Sequence, residues 1–328
     1  MAGGPSTVDL VAAAASAGAF AFLAGGYKRT SEMAAEMDAV RGAGVASFGV
    51  NVFMPGRPTA DARGLSEYLA SLESEAAALG ASLGPPDWDD DDYAAKLEAL
   101  LARPPAAVSF TFGLPDVEVV RALQAAGTVV LVTVTTPEEA ALALRLAPDA
   151  LCLQGAEAGA HRGSFANDDR PDADRSVRSL LAAVRRRTRT PLVAAGGVGG
   201  PEDVTDLLTR GATMVQVGTA FLRSPESGAA QLVKDALASA RFAEAGTVVT
   251  RAFSGRRARA LRNAMARTHT HAPAAYPEIN NATRPLRAAA LRSGDAEHTS
   301  LYAGTAHARA EARPTSEVVE RLVSGLSP

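Results

Sequence analysis

The feature that most constrains the fold of this chain is a series of seven short apolar runs. Each run is followed by a turn and usually by a helical pattern. Several are apolar throughout rather than alternating with polar residues, which is typical of strands buried on both faces of a parallel sheet. The runs are Ala19–Ala24, Ser47–Phe53, Ala107–Phe112, Thr128–Val134, Ala150–Gln154, Leu192–Ala195 and Met214–Phe221. This order predicts an α/β fold, a parallel barrel surrounded by helices.

The length of 328 residues suits one barrel with an appended domain. We expect the barrel over residues 1–223. Between residues 224 and 313 the strand-helix alternation stops, and the sequence becomes rich in Ala and Arg, which predicts a mostly helical domain on the substrate side. Residues 314–328 carry Val318, Val319 and Leu322 on one helical face, so we expect a final helix that returns to the barrel.

Composition excludes several classes of protein. The formal net charge of −3 and the pI near 6.0 provide no basic field for nucleic acid or for an anionic membrane. No apolar stretch reaches the roughly 20 residues needed to span a bilayer. The single cysteine, Cys152, excludes an intrachain disulfide and agrees with a reducing cytoplasm. We expect a cytoplasmic protein that acts on a small molecule; an oligomer is compatible with these features.

Two patterns that resemble metal sites have simpler interpretations. The acidic run Asp89–Asp92 precedes a helical pattern, which favours a solvated loop and a negatively charged helix N-terminus over a cation site. His269 and His271 would bind a metal only in an extended segment, and no third ligand is apparent. We therefore predict no metal.

Glycine-rich loops follow the last two apolar runs. AAGGVGG covers residues 194–200 and QVGTAF covers residues 216–221. In a βα barrel the loops after the last two strands commonly hold a phosphate, because glycine lets backbone N–H groups approach the phosphate oxygens. Thr219 can add a hydroxyl donor. The two loops together predict a phosphorylated cofactor.

Polar side chains come to the same edge of the barrel from other strands. Asn51 lies in SFGVNVF and Gln154 ends ALCLQ. Taken singly, either amide could satisfy a neighbouring backbone group, but together they suit a flat heterocycle with mixed donors and acceptors. His161 follows in the small-residue loop GAEAGAHRGSF, where no packing role explains so large a ring. Its imidazole could exchange a proton or give a hydrogen bond to an anion near neutral pH.

The chain resembles the nitronate monooxygenase family, formerly called 2-nitropropane dioxygenase, from Met1 to about Leu301. The segments that carry the resemblance are GVNVF, QGAEAGAHRGSF, AAGGVGG, QVGTAFL and, over residues 248–263, VVTRAFSGRRARALRN. The family implies a TIM-type (β/α)8 barrel with non-covalently bound FMN. It also implies an FMN-dependent oxidoreductase that oxidises alkyl nitronates, or nitroalkanes, with O2 to a carbonyl compound and nitrite.

The resemblance also assigns roles to residues of this chain. His161 corresponds to the active-site histidine. The residues implied around the flavin and its phosphate are Asn51, Gln154, Gly159, Gly196, Gln216, Val217, Gly218 and Thr219.

This chain departs from the family pattern at two points. Gly159-Ala160 stands where members often have two glycines, so a methyl group lies close to the expected flavin. At the beginning, MAGGPST resembles the turn that follows the family's first strand, and the strand itself is missing. We therefore expect a barrel one strand short, with two unpaired edges. We also expect either that the reading frame begins upstream of Met1 or that the chain is unstable as written.

Three other functions compete with this interpretation. A related FMN-dependent enoyl reductase would consume NAD(P)H with an acyl thioester. IMP-dehydrogenase-like enzymes share the phosphate loops but use a cysteine in a loop, whereas Cys152 lies in a predicted strand. A degenerate flavin-binding protein would be yellow and inactive. Residues alone also leave two roles for His161, removal of an α-proton or hydrogen bonding to the nitro oxygens.

Overall fold

A curled sheet of seven parallel strands organises the computed structural model, which describes residues 1–168 and 174–326. The strands are β1 Phe22–Ala24, β2 Gly49–Phe53, β3 Ala107–Thr111, β4 Val129–Val134, β5 Ala150–Gln154, β7 Leu192–Ala195 and β8 Met214–Gln216. Each strand pairs in parallel with its neighbour in the order β1-β2-β3-β4-β5-β7-β8. Every strand lies within one of the seven predicted runs, so the prediction of a TIM-type barrel with seven strands is confirmed.

The two end strands of the sheet are β1 and β8, which form no ladder with each other within the described residues. Their side chains are correspondingly open to solvent: Met214 on β8 is 59% exposed and Phe20, just before β1, is 45% exposed. The barrel is thus closed everywhere except between these two strands.

One helix, α3 (Ala62–Ala78), packs against the appended region, whereas seven others surround the sheet and cover its outer face. Their apolar sides pack on the strands through fully buried residues such as Leu123, Leu180, Leu181 and Val184. The helices are α1 Val8–Ser16, α2 Thr30–Gly42, α3 Ala62–Ala78, α4 Tyr93–Ala102, α5 Val117–Ala125, α6 Pro137–Leu144, α7 Val177–Arg185 and α8 Pro201–Thr209. Because consecutive strands alternate with helices, the carboxyl ends of all seven strands meet at one edge.

The appended region packs over that edge, and helices cover fewer than half of its residues. Its helices are α9 Gln231–Ala238, α10 Ala240–Ala245, α11 Ala264–Thr268 and α12 Glu278–Ser293. It also contains an antiparallel hairpin that the sequence analysis did not predict, formed by β9 Thr247–Thr250 and β10 Ala258–Leu261. β10 pairs in addition with the short strand β6, Ala160–His161, which comes from the barrel. The hairpin therefore connects the appended region to the predicted active-site histidine.

The last helix, α13 (Thr315–Val323), lies against α1 and α8 on the outside of the barrel. Val318 and Leu322 are buried in the core shared with α8. Residues 327–328 of the predicted terminal segment lie outside the described residues. Among the described helices, none is both long enough and apolar enough to cross a membrane.

Candidate active site

His161 lies on strand β6 rather than in an irregular loop as the sequence suggested. It pairs with Ala258 of β10, and the amide of the next residue, Arg162, donates to the carbonyl of Arg257 at 2.8 Å. The small neighbours of His161 are needed because the backbone of the 303–304 segment approaches closely: a Cβ on Gly159 would lie 2.5 Å from the carbonyl carbon of Ala303. Pairing with the hairpin thus fixes the backbone of His161.

Gln154, at the end of β5, holds the segment around His161 in place. Its Nε2 donates to the carbonyl of His161 at 3.0 Å. Its Oε1 accepts from the amide of Gly163 at 2.8 Å and from Arg162 at 3.1 Å. Both ends of the Gln154 amide are thus engaged within the protein, and its predicted contact with a flavin stays a prediction.

Four aromatic rings, which we call the aromatic cage, surround the imidazole of His161. Tyr302, Tyr276, Phe112 and Tyr27 have ring centroids 5.2, 5.5, 6.0 and 6.4 Å from that of His161. Tyr27 and Phe112 follow β1 and β3 with φ angles of 66° and 82°, left-handed conformations that side chains adopt at a cost. Such angles turn both rings toward the histidine.

The sequence analysis did not identify the members of the cage. A signal was present in the composition, since the chain has five tyrosines and three of them, Tyr27, Tyr276 and Tyr302, belong to the cage. Two come from the appended region, however, and nothing local in the sequence indicates that this region folds back over the strand ends.

The imidazole is neutral at physiological pH. Burial, together with the positive charges of Arg256 and Arg287, lowers the pKa of His161 to about 3. The Nε2 atom lies 2.8 Å from the hydroxyl oxygen of Ser254, in the turn between β9 and β10. A neutral imidazole in this position can donate or accept one hydrogen bond, depending on its tautomer.

Two guanidinium groups beside the cage have no acidic partner within the described residues. Arg256 is 6% exposed, lies 3.9 Å from the ring centroid of Phe112, and donates to the carbonyls of Arg162 and Ser164. Arg287 on α12 donates to the carbonyl and side-chain oxygens of Asn280 and to Thr283. The cage therefore lies in a positive field that an anion bound beside His161 would neutralise.

The lowered pKa of His161 predicts a specific loss of stability in acid. The unfolded chain protonates this imidazole below about pH 6.5 whereas the folded protein does not, so stability falls as the pH drops from 6.5 toward 3. The difference between the two pKa values corresponds to a loss of about 2 kcal/mol in the free energy of unfolding at pH 5, which is an upper limit because His161 is half-buried. We expect His161→Gln to remove this loss. Urea unfolding at pH 7 and pH 5 measures this difference. His271→Gln, at an exposed histidine, should leave the difference as in the unsubstituted protein; equal acid loss in both variants would contradict the prediction.

Asn51, in the middle of β2, begins a row of polar side chains that crosses to the neighbouring strands. Its Nδ2 donates to the hydroxyls of Ser109 and Thr111 at 2.8 and 2.9 Å, and the Thr111 hydroxyl lies 3.3 Å from that of Thr133. The side-chain oxygen of Asn51 has no hydrogen-bond partner among the described residues. A Cβ on Gly163 would lie 2.8 Å from Thr133 Cγ2, so the segment after His161 packs directly against this row.

The glycine loops after β7 and β8 lie next to the loop that precedes β6. Gly196 and Gly197 have φ angles of 114° and 73°, and a Cβ on Gly196 would lie 2.9 Å from the amide nitrogen of Ala158. The hydroxyl oxygen of Thr219 accepts from the amide of Gly304 at 3.0 Å. Gly218 is open by comparison, since a Cβ there would meet only the side chain of Met1, at 3.4 Å.

Gln216 is exposed at the end of β8, and Val217 follows it half-buried. The Sγ atom of Cys152 lies 3.6 Å from Gln216 Oε1, inside the sheet, and burial raises the pKa of this thiol to about 12. Cys152 is thus a small interior residue and not an activated nucleophile.

Ala160 has a φ angle of 63°. The resemblance implies a second glycine at this position. Glycine adopts this left-handed conformation without the steric cost that it has for alanine. The methyl group of Ala160 is accommodated at the start of β6.

Comparisons with known proteins agree over almost the whole chain. Residues 1–325 match the family model described as nitronate monooxygenase. A nitronate monooxygenase of Pseudomonas aeruginosa is 39% identical, in an alignment that covers 98% of this chain and 93% of that protein. A probable nitronate monooxygenase of Staphylococcus aureus is 31% identical, with coverages of 99% and 92%.

Two solved structures are similar to this chain over almost its whole length. A nitroalkane oxidase from Streptomyces ansochromogenes superposes with a TM-score of 0.95 and 45% identity, covering 99% of this chain and 93% of that one. FabK from Thermotoga maritima has a TM-score of 0.72 at 22% identity, with coverages of 99% and 90%, which indicates a shared fold alone.

Proposed function

Because the chain belongs to the nitronate monooxygenase family, we propose that it uses FMN and O2 to oxidise alkyl nitronates to a carbonyl compound and nitrite, with His161 in the active site. One observation carries the choice of substrate. Arg256 and Arg287 place two positive charges beside a neutral imidazole, with no carboxylate paired to either within the described residues. A nitronate is a small planar anion, and it supplies the missing negative charge.

His161 acts in this proposal by hydrogen bonding to the nitro oxygens. An imidazole with a pKa of about 3 is a weak base, so removal of a proton from the carbon of a neutral nitroalkane would be slow. A neutral imidazole, in contrast, can donate from Nδ1–H to an anionic oxygen without losing a proton, while Nε2 accepts from the Ser254 hydroxyl, which sets the orientation of the ring. The Tyr302 and Tyr276 rings border the same space.

The residues at the barrel edge fit FMN in their chemistry. Asn51 and the exposed Gln216 offer amide groups to a ring with mixed donors and acceptors. Gly218 leaves backbone space free of a side chain, and the Thr219 hydroxyl can still donate its hydrogen to a phosphate oxygen. When bound, FMN would accept electrons from the nitronate and pass them to O2. Gly159, Gly196 and Val217 belong to the same proposed site.

The relative turnover of a nitronate and its parent nitroalkane tests this function. We expect the purified, FMN-loaded protein to release nitrite from ethyl nitronate with a kcat/KM at least tenfold above that for nitroethane, because only the anion gains from the positive field. Equal values for the two substrates would contradict the assigned role of the charges. Oxidation of NADH with an enoyl thioester, and no nitrite release, would favour the enoyl reductase.

Removing one of the two charges should weaken nitronate binding specifically. Arg287→Met keeps an unbranched side chain but removes the guanidinium, and we expect the KM for ethyl nitronate to rise about tenfold while the KM for neutral nitroethane stays within about twofold. Steady-state nitrite assays with both substrates measure this. The matched control is Arg284→Met, three positions earlier on α12, where the side chain is exposed. A rise for both substrates would mean that Arg287 acts through structure rather than charge.

A further inference from the structure

Asp91 differs from the other three members of the acidic run. Asp89, Asp90 and Asp92 are exposed, as expected of a solvated loop, but Asp91 is half-buried. Its Oδ2 lies 2.9 Å from the Nζ atom of Lys96, and Lys96 is 0% exposed. The loop before α4 therefore carries a charge pair turned into the protein.

The other oxygen of Asp91 holds the backbone of a cage residue. The amide of Tyr27 donates to Asp91 Oδ1 at 2.8 Å, across 64 positions of sequence. Tyr27 has a φ of 66°, a conformation that an aromatic residue keeps only when its surroundings enforce it. Among the described residues, Asp91 supplies the hydrogen-bond acceptor for this amide.

The conformation of Tyr27 decides where its ring lies. The hydroxyl of Tyr276 donates to the Tyr27 hydroxyl at 3.1 Å, and the Tyr27 ring packs edge-on against Phe53 at 5.4 Å. The same two tyrosines line a cleft of about 200 Å3 whose lining includes Asp91 but not His161. Displacing Tyr27 would join this cleft to the aromatic cage and admit water.

We propose that Asp91, with its charge balanced by the buried Lys96, is a positioning residue that holds Tyr27 against Tyr276 and so maintains one wall of the aromatic cage. The effect on turnover rests on the proposed nitronate oxidation, whereas the effect on Tyr27 does not. A buried ion pair costs desolvation and is weak evidence for a stabilising role. Its value here lies in the geometry that the carboxylate imposes on Tyr27.

Two double variants separate the hydrogen bond from the charge pair. Asp91→Asn with Lys96→Met removes both charges but keeps an oxygen that accepts from the Tyr27 amide. Asp91→Gly with Lys96→Met removes the same charges and the acceptor as well. Both asparagine and glycine tolerate the left-handed φ of 57° at position 91, so backbone strain is comparable. The exposed neighbour Asp90 provides the control Asp90→Asn.

The first readout is the ionisation of tyrosine, which needs neither flavin nor substrate. Burial raises the pKa of all five tyrosines in the folded protein, so few phenolates form up to about pH 11. We expect the glycine double variant to gain about one phenolate below that pH by ultraviolet difference absorbance, and the asparagine double variant to match the unsubstituted protein. Because no substrate is needed, failure of the proposed activity leaves this result interpretable.

The second readout is the kcat/KM for ethyl nitronate. We expect the glycine double variant to lose roughly tenfold in kcat/KM, and the asparagine double variant to stay within about threefold of the unsubstituted protein. If either double variant does not fold, Asp91→Asn and Asp91→Gly alone give the same comparison. Equal tyrosine titration and equal kinetics in the two variants would overturn the proposal, since the acceptor would then have no effect on Tyr27.

Discussion

Replacing His161 with alanine is expected to lower nitrite release from ethyl nitronate by roughly 100-fold or more, the scale of a positioned hydrogen-bonding or acid-base group. The fold should persist, because β6 is fixed by backbone pairing with β10 and not by the imidazole. The flavin content should persist as well, since none of the contacts of Gly218 or Thr219 involves His161. Nitrite assays, normalised to the flavin absorbance of each preparation, measure the effect.

A matched variant distinguishes the two roles of His161. His161→Gln keeps a hydrogen-bond donor but has no basic nitrogen. If hydrogen bonding to the nitro oxygens is the role, His161→Gln should retain considerably more activity with the nitronate than His161→Ala. Equal loss in both variants would favour proton transfer, and unchanged turnover in His161→Ala would remove this residue from the mechanism.

Gly218→Val is expected to give a soluble but colourless protein. The backbone at Gly218 has a φ of −125°, outside the left-handed region that favours glycine, and its Cβ would meet only the Met1 side chain at 3.4 Å. The fold should therefore tolerate the change, while the branched side chain would occupy the space proposed for a phosphate oxygen. The flavin-to-protein absorbance ratio measures the loss.

The control for this substitution is Gly42→Val. Gly42 lies at the exposed end of α2, where a Cβ would have no neighbouring atom within 4 Å. This variant should retain full flavin. Full retention of FMN in Gly218→Val would show that the phosphate lies elsewhere, and precipitation of Gly218→Val alone would show that Gly218 serves the fold.

The strands were predictable because their signal is local. Runs such as Ala150–Gln154 are apolar over consecutive residues, and burial on both faces of a parallel sheet requires that pattern. The polar end of β5, Gln154, could also be predicted to lie at the carboxyl edge of the barrel, with Asn51 of β2 close to it, since the topology brings all the carboxyl ends to one edge. The hairpin β9–β10 was not predicted although β9, TVVT, carries a local β-branched signal. Its partner β10, ARAL, carries no such signal and gains its strand conformation by pairing with β9 and β6.

The partners of His161 could not be predicted for a different reason. Arg256 is buried and Arg287 half-buried, whereas an arginine in a sequence is expected at the surface unless its environment is known. Tyr276 and Tyr302 reach the histidine from segments more than 100 positions away. Asp91 likewise cannot be distinguished from Asp90 by sequence, because only the folded contact with Lys96 and Tyr27 separates them.

Simultaneous measurement of oxygen uptake and nitrite release tests the central claim most directly. Purified yellow protein is mixed with ethyl nitronate in air-saturated buffer, with no NADH present, and both quantities are followed in the same reaction. The account predicts that oxygen is consumed as nitrite and acetaldehyde appear, and that both processes stop in His161→Ala. Flavin-loaded protein that consumes no oxygen and releases no nitrite with any alkyl nitronate would contradict it.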